Sequence, residues 1–274
     1  MPLLNYQLAL VGALPALAAM WLFDRFDAKR PEPRGTLRRV ALAGALSAIP
    51  VIALGQLLMY LSPVELVLQG GAPGSYAAAF YMAFVIAALP EEGAKMASML
   101  LFAWRRPEFD ERMDGIVYGA RAGLGFALVE NVAYLLLQTG SSGTYLSLFI
   151  GRAVLAVPAH AIWGGLMGYF AAVRRFDGRG PGLVGGYLLA VLLHGLYDAW
   201  LFSAPVAIAA GNDWLGLGIA GVPVVAYSVP AVIVAGGGLL LRALMQRALR
   251  DDDHAEAMAA AAAHRHVGHA RRWY

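Results

Sequence analysis

The chain has 274 residues, of which 59% are hydrophobic and 14% are charged, whereas an ordinary soluble domain is roughly 25% charged. Mean hydropathy is +0.60. The apolar residues come in blocks of about 20 or more, which is the length needed to cross a bilayer. These values exclude an ordinary soluble enzyme, a disordered chain and a nucleic-acid-binding domain. They predict an all-α, polytopic bundle of transmembrane helices with the lipid bilayer as its partner.

Seven apolar blocks predict about seven spans: 3–23, 39–62, 77–103, 114–138, 145–173, 183–204 and 215–241. The first basic residue, Arg25, follows the first block, so that block is predicted to be a retained span and not a cleaved signal peptide. Pro223, Pro230 and Gly236–Gly238 predict a break in the last span.

Residues 1–250 form the predicted transmembrane domain, and 251–274 are predicted to be a disordered cytoplasmic tail rich in Ala and His. The tail histidines could bind a metal only weakly; they are His264, His266 and His269. The chain contains no cysteine, which excludes disulfides, thiol catalysis and thiolate metal sites.

Basic residues alternate between the loops. Eighteen of the 21 Lys and Arg residues lie in 24–39, 104–113, 174–182 and the part of the chain after 241, and none lie in 63–76, 139–144 or 205–214. The positive-inside rule then predicts an outside N-terminus and a cytoplasmic C-terminus, in the cytoplasmic (inner) membrane. The net charge of +3 thus reflects topology, and no nucleic-acid partner is predicted.

Ionisable residues inside the apolar blocks are the candidate functional residues. They are Glu91, Glu92, Lys95, Arg121, Glu130, Arg152, His160, His194 and Asp198. Burying a charge in a bilayer costs from about 3 to over 10 kcal/mol, so these side chains are expected to face the bundle interior or a wet cavity. At about 1.5 Å per residue, five of them, on four helices, lie roughly 17–24 Å from the cytoplasmic ends of their spans. This common depth predicts one buried site built from facing helices.

Local spacing predicts pairs within this set. Glu91 and Lys95 are four residues apart, as are His194 and Asp198, so each pair shares a helix face. Arg152 is the predicted partner of Glu130, because Arg121 lies on the opposite face of the helix from Glu130.

Prolines and glycines predict two further features. Pro90 and Pro158 each remove a helical hydrogen bond and free a carbonyl oxygen near the site. Gly115, Gly119 and Gly123 repeat every four residues and predict a face that permits close helix packing.

Two hydrolytic schemes suit these residue types. Adjacent carboxylates resist ionising together, so one of them can act as a general base that takes a proton from water. A histidine could orient that water or protonate a leaving amine, and a second histidine or its Asp partner could stabilise an oxyanion. Alternatively, Glu91, Glu92, His160 and His194 could ligate a divalent metal such as zinc. The chain has no His-Glu-x-x-His motif.

Four motifs resemble those of the PrsW family of intramembrane proteases, in the same order, over 77–200. They are Pro90–Lys95 with its Glu-Glu-x-x-Lys pattern; Asp114–Glu130 followed by Asn131 and Tyr134; Pro158-Ala159-His160 with Trp163 and Gly168; and His194–Asp198. The resemblance implies that Glu91, Glu92, His160 and His194 are catalytic. It also marks Glu130 and Asp198 as site positions, with Lys95, Arg152 and Asn131 in support. Family members have been described as metalloproteases and as glutamic proteases, so the resemblance leaves the cofactor open.

The same motifs are similar to those of the CAAX-processing type II proteases, but Glu130 and Asp198 stand where that family has His and Asn. The resemblance therefore implies an endopeptidase that cleaves membrane-protein substrates, such as anti-sigma factors. The alternatives are a proton- or ion-coupled transporter, a CAAX-type prenyl-protein protease and a non-catalytic scaffold. In that last case the Glu pair would simply be neutralised by Lys95, and His194 with Asp198 would clamp helices together.

Overall fold

A computed structural model describes residues 10–66, 68–69, 72–137, 142–219 and 222–270, with backbone alone at 68–69, 142–144 and 263–270. Within these ranges the chain forms seven helices. Their bounds are α1 Leu14–Phe26, α2 Arg34–Tyr60, α3 Tyr76–Phe102, α4 Arg112–Leu137, α5 Ser142–Gly151 continued through Arg152–Ala156 and Val157–Asp177, α6 Gly182–Ala209 and α7 Val224–Ala270. The fold is the predicted all-α bundle of a multi-pass membrane protein.

Six of these helices, α2 to α7, are long and apolar enough to cross a membrane. The predicted first span, 3–23, falls partly on residues 1–9, which lie outside the described residues. Its described portion is α1, which has 13 residues. Between α2 and α3, β1 (Leu68–Gln69) pairs antiparallel with β2 (Ala72–Pro73), and a short 3₁₀ turn at Asp213–Gly216 precedes α7.

Two spans contain a π-helical segment that ends two residues before a proline. In α3 the π segment is Met82–Ala88, and Leu89, the residue before Pro90, donates its N–H to Phe84 five residues back. In α5 the segment is Arg152–Ala156, and Val157 before Pro158 likewise donates to Arg152. The helices are therefore distorted at both predicted positions while the chain continues through the membrane.

The last predicted span, 215–241, is broken before α7, where 217–219 and 222–223 are not helical, but it is not broken at Pro230 or Gly236–Gly238. Helix α7 begins just after Pro223 and continues through Pro230 and Gly236–Gly238. Pro230 cannot donate to the carbonyl oxygen of Ala226, but the indole Nε1 of Trp200 on α6 donates to that oxygen at 2.7 Å. A side chain from a neighbouring helix thus replaces the missing backbone bond. The helix extends to Ala270, through much of the predicted tail.

Helix α4 is the centre of the bundle, with most of its first 16 residues buried. Its predicted glycine face packs against α5 so closely that a methyl group at Gly119 would overlap the backbone of Gly164. Gly115 meets Gly168 and Gly123 meets His160 in the same way. The glycine spacing therefore sets the α4–α5 distance and brings His160 against the middle of α4.

Large apolar side chains cover the outside of the bundle. Examples far more exposed than those of a soluble core are Leu42, Ile49, Leu188 and Val232. Such a surface matches the hydrocarbon of a bilayer. The charged residues of the spans are instead buried inside the bundle.

Candidate active site

A cavity of about 360 Å³ lies between helices α3, α4, α5 and α6. Six of the candidate residues line it: Glu91, Glu130, Arg152, His160, His194 and Asp198. Each of the four helices contributes at least one of them. Residues up to 107 positions apart in sequence are thus gathered around one space inside the membrane-spanning part of the bundle.

Glu91, Glu130 and His160 form a cluster with the donor types of a metal site. Each offers one ligand atom, and the three atoms lie within 4.8 Å of one another. The ring nitrogen Nδ1 of His160 is buried and has no hydrogen-bond partner among the described residues. Two carboxylates and one imidazole make a donor set suited to a divalent metal ion.

Glu92 has a different environment from Glu91. It is fully buried and does not line the cavity. Its Oε1 accepts from Lys95 Nζ at 2.7 Å and lies 2.8 Å from Nδ1 of His194. Lys95 is also fully buried and lies 3.4 Å from Glu91 Oε2. Glu92 therefore joins the ammonium group of α3 to the imidazole of α6.

His194 has carboxylates at both ring nitrogens. Opposite Glu92, its Nε2 lies 3.1 Å from Asp198 Oδ2 and 3.9 Å from Glu91 Oε2. A ring with acceptors on both sides is fixed in orientation and can donate from either nitrogen. Its Nε2 edge lies beside the two cavity-lining carboxylates.

Glu130 is bound from α5 by two groups. Its Oε2 accepts from Arg152 Nη2 at 2.7 Å and lies 2.8 Å from His160 Nε2. The guanidinium also donates from Nε to Asn131 Oδ1 at 2.6 Å and stacks over Tyr134, with its central carbon 4.1 Å from the ring centre. These contacts hold Arg152 within the bundle and balance the charge of Glu130.

The predicted pairs are only partly those observed. His194 meets Asp198, and Arg152 meets Glu130, as predicted. Lys95, however, lies closer to Glu92 than to Glu91. Arg121, treated above as a charge without an assigned partner, forms an ion pair with Asp24 of α1.

Three aromatic residues of the cavity wall belong to the sequence motifs but were not predicted to be site residues. They are Tyr134, Trp163 and Tyr197. Tyr134 is four residues after Glu130, and Tyr197 directly precedes Asp198, so their spacing alone placed them near the site. Aromatic residues in a helix more often pack than bind, and the sequence could not distinguish the two roles.

Carboxylates and imidazoles around a cavity between membrane-spanning helices define a class: a polytopic membrane protein with a hydrolase-type site among its spans. A family model described as PrsW family intramembrane metalloprotease matches residues 32–235. The chain belongs to this family, and it is an intramembrane protease.

Proteins named Protease PrsW are similar to this chain over most of their length. The one from Clostridioides difficile (strain 630) is 32% identical over 199 residues, 71% of this chain and 79% of that protein. The one from Geobacillus kaustophilus (strain HTA426) is 34% identical over 201 residues, 73% and 81% respectively. The one from Bacillus subtilis (strain 168) is 32% identical over 190 residues, 68% and 79%. No solved structure matches the chain significantly.

Family membership favours the predicted protease over the transporter, prenyl-protein protease and scaffold alternatives. The family description also names a metal-dependent class, and the Glu91–Glu130–His160 cluster has the donors that a metal requires.

Proposed function

We propose that the chain hydrolyses a peptide bond of a membrane-spanning protein in the cavity, with Glu91, Glu130 and His160 as the residues that hold a divalent metal such as zinc. The observation that carries this proposal is the approach of these three side chains, from three helices, to within 4.8 Å of one another. When bound, such a metal supplies Lewis-acid polarisation and lowers the pKa of water.

The protein's own side chains divide the remaining work. In the metal-dependent scheme Glu91 is a ligand; in a glutamic-type scheme without metal, Glu91, which lines the cavity beside His194 Nε2, is the carboxylate placed to receive a proton from the attacking water. His194 can pass a proton from Nε2 to the leaving amine or donate to the developing oxyanion. Glu92 and Asp198 hold the ring for that task, so Glu92 is a positioning residue and not the base.

The substrate is expected to be a membrane protein because the cavity lies within the membrane-spanning part of the bundle. Its wall beyond the charged groups is largely apolar, with Leu148, Leu201, Phe202 and Pro205 among the lining residues. Such a wall suits an unwound transmembrane segment better than a polar peptide. A regulatory target such as an anti-sigma factor, and a location in the cytoplasmic membrane, are the narrower hypotheses.

Replacing Glu91 by Gln tests the proposal. We expect Glu91→Gln to slow cleavage of a model single-span substrate in detergent by roughly 100-fold or more, the scale of a lost general base. It should also lower the metal content of the purified protein measured by mass spectrometry. Glu65→Gln is the control, because Glu65 is exposed in the loop after α2.

Chelation adds a second arm to the experiment. Activity should disappear after chelation and return on adding zinc or another divalent ion. Full activity of Glu91→Gln would overturn the role of this residue. Full activity after complete metal removal would overturn the metal and leave a glutamic-type mechanism.

A further inference from the structure

A second cavity, of about 460 Å³, adjoins the candidate active site. The two cavities have five lining residues in common: Ala87, Glu91, Glu130, Tyr134 and Phe202. Away from these residues, the second cavity runs between α2 and the later part of α4. We call it the α2–α4 groove, and one end of it lies at two carboxylates of the candidate metal cluster.

The groove exists because α2 and α4 touch at one level and separate farther along. A methyl group at Gly44 of α2 would overlap the carbonyl group of Ala122 on α4, and one at Gly125 of α4 would overlap that of Ala41. Such contact between backbones leaves no space between the helices at that level. Farther along, the two helices face each other across the groove, which both of them line.

Helix α3 forms the floor of the groove. The hydroxyl of Tyr81 on α3 donates to the carbonyl oxygen of Leu58 on α2 at 3.1 Å, and Gly55 of α2 packs against the side chain of Ile86. Helix α2 is therefore attached to α3 along this stretch, and its side facing α4 is left to line the groove.

The groove opens onto the apolar surface of the bundle. Ile52 of α2 and Leu137 of α4 line it, and they are 56% and 79% exposed. Most of the other lining residues are apolar as well, among them Val51, Met59 and Val129. An apolar opening between membrane-spanning helices suits an apolar segment arriving from the bilayer better than a polar peptide arriving from water.

Gln56 is a polar residue on the α2 wall of this apolar groove. It is exposed, and its side-chain amide has no hydrogen-bond partner among the residues that the structure describes. An unpaired amide facing hydrocarbon is costly. A peptide segment that unwinds inside a membrane needs partners for its freed N–H and C=O groups, and an amide side chain offers both a donor and an acceptor. A lipid acyl chain could use neither.

We propose that the α2–α4 groove is the entry route and docking surface for the transmembrane segment of the substrate. The inference rests on the proposed function, because it takes the substrate to be a membrane-spanning protein cleaved at the inner end of the groove. The apolar residues of the segment would lie against the walls, and Gln56 would bind its backbone where it unwinds. Continuity of the groove with Glu91 and Glu130 favours a peptide as the occupant over a lipid chain.

Photocrosslinking of the full chain to a model single-span substrate tests where the substrate lies. Benzoylphenylalanine would replace Ile52 or, as the matched control, Ile49, which is an exposed isoleucine of the same helix that does not line the groove. We expect adducts with intact or cleaved substrate at position 52 and a loss of them at position 49. Excess substrate without a label should abolish the labelled adducts at position 52.

Kinetics of two wall variants supply an independent readout. Ile52→Trp narrows the groove and should raise the KM for the single-span substrate roughly tenfold, the scale of one interface anchor. Ile49→Trp should leave that KM at the value of the parent protein. Gln56→Leu should raise the KM about fivefold, the scale of one hydrogen bond, and also raise the unfolding temperature, because a polar group leaves the span. A purely structural Gln56 would change the unfolding temperature alone.

The outcomes separate this inference from the proposed function. Equal substrate adducts at positions 52 and 49, or an unchanged KM in both Ile52→Trp and Gln56→Leu, would overturn the groove as the docking surface. Phospholipid adducts at position 52 without substrate adducts would assign the groove to a lipid chain and overturn it too. Crosslinking does not require cleavage. Full activity of Glu91→Gln would therefore overturn the catalytic assignment and leave the adduct pattern unchanged.

Discussion

Adjacent residues of one helix can have unrelated roles because consecutive side chains point about 100° apart. Glu91 faces the cavity, whereas Glu92 points between α3 and α6, toward Lys95 and His194. Glu91 therefore borders the cavity, whereas Glu92 contacts a lysine and a histidine. The two adjacent carboxylates have different neighbours, so we propose different roles for them.

Glu92 and Lys95 make a stability prediction that Glu91 does not share. Glu92→Gln leaves the fully buried Lys95 without its closest carboxylate and should destabilise the protein by about 3 kcal/mol or more. The double variant Glu92→Gln/Lys95→Met removes both charges and should recover much of that loss. Unfolding in a denaturing detergent measures the difference, with Glu91→Gln as the matched single variant. Equal losses for the single and double variants would contradict a charge-pair origin.

At the scale of the helices, the α4–α5 contact is set by backbone meeting backbone. A methyl group at Gly164 would overlap the carbonyl of Gly119, while one at Gly236 of α7 would meet nothing within 4 Å. The same Gly→Ala change should therefore have opposite effects at the two sites.

We expect Gly164→Ala to destabilise the bundle by about 1–3 kcal/mol, because neither helix can move without disturbing the site between them. Gly236→Ala should stabilise it by about 0.5–1 kcal/mol through the lower backbone entropy of the unfolded chain. Detergent unfolding and cleavage rate would be measured together for both. A neutral Gly164→Ala would show that the close packing is dispensable.

The two π segments matter at the same scale. Each π segment lies just before a proline, and a site residue comes shortly after that proline: Glu91 on α3 and His160 on α5. An extra residue in a turn rotates everything beyond it around the helix axis. These distortions thus help to decide which side chains reach the cavity.

At the scale of the whole molecule, the distribution of basic residues predicts the orientation in the membrane. The absence of cysteine allows a direct test with single introduced thiols at the exposed positions Glu65 and Asp110. In intact cells, a membrane-impermeant maleimide should label Glu65→Cys. It should label Asp110→Cys only after the membrane is opened. The reverse pattern would contradict an outside N-terminus and a cytoplasmic C-terminus.

The sequence by itself determined the class of fold and the depth of the site. Block length, loop charge and position along each span depend only on residue number, because a helix rises by a fixed distance per residue. Glu92, Glu130, His160, His194 and Asp198 could therefore be predicted to lie at one level.

Only the tertiary structure decided which of these side chains face each other. Facing depends on the rotation of each helix about its own axis, which the π segments and the glycine contacts change and which residue spacing does not encode. This is why the sequence could not predict that Lys95 lies closer to Glu92 than to Glu91. The pairing of Arg121 with Asp24 joins segments far apart in the chain, and it exists only once α1 and α4 pack together.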